Sequence, residues 1–142
     1  GPDKGLINAI IFEGLGTPEY QNPAWKPSAG AESRDCAFVL DLIGKSVLVH
    51  YDKFGEWPET LGQLWTSGVL PDRNRVNRFF CPVTGAPLLY HVLKGAQAPR
   101  TILVATSQSL PTKDGQRWFG YLANNTVITS ETALVPGQLW VK

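Results

Sequence analysis

Four side chains in this sequence are suited to metal or nucleophilic chemistry: Cys36, His50, Cys81 and His91. Two cysteines and two histidines could complete a tetrahedral zinc site. Such sites draw on close pairs, Cys-x2-4-Cys or His-x3-5-His, and neither spacing occurs here. His50 lies well along the same helix from Cys36, so the two do not meet. For a cysteine nucleophile the candidate is Cys81 with His50 or His91. A cysteine followed by proline lacks the helix N-terminal amides that lower a thiol pKa, so a reactive thiolate is not expected. No Gly-x-Ser-x-Gly, phosphate loop or dinucleotide fingerprint is present, and the carboxylates are scattered. The reading is of a non-enzyme with no metal and no cofactor. As a pair, the cysteines are either two buried free thiols or one disulfide made in an oxidising compartment. A bridge across so long a loop stabilises by about 4 kcal/mol when unstrained.

Two further clusters invite a binding role. Arg73, Arg75 and Arg78 precede Phe79 and Phe80, a basic-aromatic set that could grip single-stranded nucleic acid. Three arginines in a loop are more often a solvated surface, and a net charge of +1 supplies no bulk attraction for nucleic acid. No nucleic-acid partner is expected. Five tryptophans are present. If exposed, Trp25, Trp57 and Trp118 would offer stacking surface for a small ligand or glycan.

These residues must be positioned by a core, and 142 residues with 43% hydrophobic content make one domain able to bury one. Cys36, Leu40, Ile43, Val47, Tyr51 and Phe54 recur at helical spacing and predict an amphipathic helix from Ser33 to Phe54. Ser33 or Ser28 would cap it, Asp41 and Lys45 would pair across one turn, and Gly55 would end it. A short helix from Pro58 buries Leu61, Leu64 and Trp65. From Phe79 the period turns strand-like. Leu88 to Leu93 and Thr101 to Thr106 read as strands, the second apolar on both faces and therefore interior. Ser107 to Gln116 reads as a loop. Arg117 to Ala123 and Thr126 to Ser130 form a hairpin through a two-residue Asn124-Asn125 turn. Helices first and strands later predict an α+β fold, one long helix on an antiparallel sheet of about four strands.

Residues 1–32 are broken by Gly14, Gly16, Pro18, Pro23, Pro27 and Gly30 and read as an extended arm or linker before the domain, 33–142. Tyr20 and Trp25 would anchor that arm over the second face of the Thr101 strand. Leu134, Val135 and Trp140 in the tail would return to cover an edge. No run approaches the length of a membrane span.

The order of features from Cys36 to Trp140 resembles the soluble region of bacterial type II secretion pseudopilin-like proteins. The residues that carry it are Cys36 at the helix start, Tyr51, Gly55 to Pro58, Leu61 with Leu64, Cys81-Pro82, the Thr101 to Ala105 strand and the Arg117 to Ile128 hairpin. The C-terminal His-x9-Asp-Gly motif of one group of that family is degenerate: Asp114 and Asn124-Asn125 stand in its place. In a pilin the membrane helix runs unbroken into the long helix, which the prolines before Gly30 forbid here. The resemblance implies a pilin-like fold and favours the Cys36–Cys81 bridge. It also implies an extracytoplasmic domain, periplasmic or anchored facing the periplasm: either the arm links it to an anchor upstream, or a pilin-like domain is used outside a filament. Its partners would be proteins of the envelope or secretion apparatus.

Overall fold

The computed structural model describes residues 30–70 and 79–141. The arm with Tyr20 and Trp25, and the arginines Arg73, Arg75 and Arg78, lie outside the described residues.

A reciprocal cap starts the long helix, α1, Ser33–Phe54. Glu32 takes the capping position expected of a serine, and its N–H is accepted by the Asp35 carboxylate at 2.8 Å. The helix stops at Gly55, whose φ of 76° places it in the left-handed region and whose N–H bonds the Tyr51 carbonyl at 2.8 Å. Cys36, Leu40, Ile43 and Val47 are buried as their spacing predicts, and Gly44, Ser46 and His50 join them. Phe54, expected on the same face, is exposed instead. The inward place in the last turns goes to His50, whose Nδ1–H donates to the Glu56 carbonyl at 2.8 Å.

A short helix, α2, Gln63–Thr66, follows a turn and buries Leu64 and Trp65, with Leu61 just ahead of it. It starts later than Pro58 because the chain there is held by other bonds. Trp57 stacks on Tyr51 with centroids 4.2 Å apart and donates its indole N–H to the Gly95 carbonyl at 2.7 Å. The Tyr90 hydroxyl donates to the Pro58 carbonyl.

The sheet has four strands: β1, Ile102–Ala105; β2, Leu110–Thr112; β3, Gly115–Leu122; and β4, Thr126–Ser130. β3 pairs antiparallel with each of the other three. β1 pairs with β3 alone and ends the strand order, so it is an edge strand of the sheet and not the interior one expected; only single bridges from irregular segments cover it. Its second edge is taken at Leu89, which exchanges bonds with Ala105, and at Gly137 and Gln138, which bond Ile102. Three further expectations are corrected. The Ser107 to Gln116 loop contains β2, where Pro111 is tolerated because β2 pairs only with β3, leaving an edge that needs no proline donor. Leu88 to Leu93 makes single bridges rather than a strand, since only Leu89 meets β1. The Asn turn spans Ala123 to Asn125, and only Asn125 takes a positive φ, 67°.

The sheet buries both faces. On one, Leu103, Val104, Phe119 and Tyr121 pack with α1 and α2 in the main core. On the other, Ile102, Ala105 and Leu122 form a smaller cluster with Leu134 of the C-terminal tail. Cover that the sequence assigns to the arm is therefore supplied, among the described residues, by the tail.

Candidate functional site

Three places on the domain combine position with chemistry. The first is the outward face of α1. At about 100° per residue Phe38, Leu42, Lys45 and Val49 fall within an arc of about 60°, opposite the buried line of Cys36, Leu40, Ile43 and Val47. Phe38 is 68% exposed and Val49 50% exposed, with Leu42 half-buried between them. Lys45 bonds Asp41 at 2.6 Å on the flank of this stripe. A helix whose polar side carries an exposed phenylalanine and valine in line is amphipathic twice over.

The second is the pair of cysteines. Both are buried and both are free thiols, so the bridge that the family resemblance favours is not formed in this structure. The expected proximity does hold. Cys36, in the first turn of α1, donates its S–H to Cys81, and that hydrogen bond together with burial pushes the Cys36 thiol far up. Cys81 goes the other way, down to about 6, chiefly because it accepts from Cys36 and also because the N–H and hydroxyl of Thr84 and the N–H of Val83 point at its sulfur. The turn that aims them is closed by Gly85 N–H to the Cys81 carbonyl at 2.7 Å and Cys81 N–H to Ala86 at 2.8 Å. The sequence reading denied Cys81 any activating amides because no helix starts there. A tight turn after Pro82 supplies them instead, and Thr84-Gly85 is the signal that could have revealed it.

The third place is a groove of about 600 Å3 between the turn at Ala98 to Arg100 and the tail at Leu139 to Val141. The Arg100 guanidinium sits 4.7 Å over the Trp140 ring and its Nε donates to the Trp140 carbonyl at 3.0 Å. Trp140, read only as edge cover, is the tryptophan in this groove. The run Leu139-Trp140-Val141 was its signal.

The tryptophans proposed for ligand stacking fare otherwise. Trp57 is 4% exposed and is withdrawn as a binding residue; its ring is spent on Tyr51 and its N–H on Gly95. Trp118 is half-buried against the tail-side cluster. Phe79 and Phe80, the aromatic partners of the arginine loop, are core residues. Among the described residues no group of three His, Cys, Asp or Glu side chains could hold a metal, and no helix is long and apolar enough to cross a membrane.

No family model, curated protein or solved structure matches this chain.

Proposed function

We propose that this chain is a non-enzymatic, pseudopilin-like extracytoplasmic domain that works through protein contact in envelope assembly or secretion. The observation that carries the reading is the outward face of α1. A helix already buried along one side presents Phe38 and Val49 on the other, and exposed apolar side chains in line on a regular element suit helix-in-groove or helix-on-helix association. One long helix laid across an antiparallel sheet agrees with that reading.

A photoreactive side chain placed at position 38 in the native cell is expected to capture an envelope protein. The same group at Lys113, on the exposed β2–β3 turn, is expected to capture none. Equal capture at both positions, or none at 38, would remove the basis for the reading. Fractionation with cytoplasmic markers would remove the compartment. A second reading, a binding module for a small ligand or glycan, is favoured by the Arg100–Trp140 groove. It predicts a change in tryptophan emission on ligand addition that Trp140→Leu abolishes.

A further inference from the structure

β1 and β2 share one side of β3, and β4 takes the other side alone. Phe119 in β3 fixes which backbone groups of β4 are spent. Its N–H donates to Thr106 Oγ1 at 3.1 Å and its carbonyl accepts the Thr106 N–H at 2.9 Å, so both point away from β4. The Phe119–Thr129 pair is therefore a non-hydrogen-bonded one, and by alternation so is Tyr121–Val127. Val127 and Thr129 accordingly send their N–H and C=O groups to the outer edge of β4. Among the described residues no backbone group bonds them there. The strand also lacks the usual protections of such an edge. From Asn124 to Ser130 there is no charge and no proline, and the register holds no bulge.

The sequence of β4 is complementary to itself. In an antiparallel two-fold pairing centred on Ile128, Val127 faces Thr129 of the second copy, and Thr129 faces its Val127. Each of these two pairs exchanges two hydrogen bonds, so all the outward groups of Val127 and Thr129 are satisfied. Ile128, which packs on the tail-side cluster, meets its own counterpart in the close non-hydrogen-bonded position. It does so beside Trp140 and Val141, which share a groove of about 620 Å3 with it, and Val141 is 83% exposed in the single chain. Thr126 faces Ser130, hydroxyl to hydroxyl, and Glu131 faces the neutral Asn125. No like charges oppose one another in this register.

We propose that the outer edge of β4 is a self-association site, at which two copies of this chain join their sheets antiparallel across a two-fold axis at Ile128. The occupant is a second copy rather than a foreign peptide, because backbone groups, side chains and charge already match within β4 itself. The site is separate from the outward face of α1 and does not depend on the envelope reading.

The experiment measures the mass of the full chain by sedimentation over a wide range of concentration. Wild type should pass from one chain to two as concentration rises. Thr129→Pro removes an outward N–H and no bond to β3, so the fold should be kept. Association should weaken by about 100-fold, roughly a factor of ten for each of the two bonds lost in the dimer. Cysteine placement then reads the register. Ile128→Cys should give a disulfide-linked dimer under mild oxidation, because the two Cα atoms would lie about 4.5 Å apart. Thr126→Cys should not, since position 126 faces position 130 of the other copy. The native cysteines, buried at 0% and 2% exposure, do not compete. A chain monomeric at every concentration overturns the proposal, whether the arm holds the edge or nothing does. A dimer untouched by Thr129→Pro places association elsewhere, on the outward face of α1 for one, and overturns it too. So does cross-linking at 126 in preference to 128. Where Thr129→Pro fails to fold, the two cysteine variants still decide.

Discussion

The two faces of the sheet are buried by different means. The inner face meets α1, a regular element whose side chains recur with the helical period, and it holds Phe119, Tyr121, Leu103 and Val104. The outer face meets the tail, an irregular segment that contributes Leu134 with Trp140 at the margin. A helix fixes many side chains at once, so an error at one position is felt by its neighbours. A tail places one side chain at a time and can give way locally. The inner face should therefore be brittle and the outer face forgiving.

The largest effect is expected from Val47→Asp. A charge at a position fully buried against the sheet has no partner, costs several kcal/mol, and should abolish cooperative unfolding in a thermal melt. A variant that melts within a few degrees of wild type would show that α1 does not press on the sheet.

A matched pair of glycines tests the contrast directly. A methyl at Gly44 would stand 2.2 Å from the Tyr121 ring, a rigid group anchored in β3. Alanine gains about 1 kcal/mol over glycine in a helix, but the clash forces the helix off the strand, and a net loss of about 2 kcal/mol is expected. A methyl at Gly120 would stand 2.8 Å from Leu134 Cδ1, the far end of a flexible side chain on the tail. Leu134 can turn aside, so Gly120→Ala should change stability by about 1 kcal/mol or less. Equal losses in denaturant titrations would erase the distinction between the faces.

The smallest effect is expected at the exposed edge of α1. Lys45→Ala removes an ion pair of 2.6 Å between side chains 53% and 40% exposed, and should cost about 0.5 kcal/mol or less. A larger loss would mean that Lys45 is packed rather than solvated.

The same division governs what could be read in the sequence. The buried line Cys36, Leu40, Ile43, Val47 was legible because helical period and burial coincide, and the TILVAT strand because it is apolar throughout. The tail was legible as cover of some kind but not as the cover of a whole face, since Leu134 alone carries no period. β2 was hidden by Pro111, which reads as a loop signal unless the strand is known to lie at an edge. Trp57 misled for a related reason: composition says nothing of the Tyr51 ring beside it. At the thiol pair the meeting of Cys36 and Cys81 was foreseeable. The donors converging on Cys81 were missed because they come from a turn rather than a helix start, although Thr84-Gly85 marked that turn.

The central position of β3 bears on how quickly the chain can find its structure. Every pairing of β3 is made within the stretch from Ile102 to Ser130, through two tight turns and the short link 106–109. Closing such short loops loses little chain entropy, so this meander can form early. Bringing Gly44 against Tyr121 closes a far longer loop and must wait. Rate measurements should then find that Val127→Ala slows folding, while Leu40→Ala chiefly speeds unfolding. The helix that dominates the finished core would be the last large piece to dock.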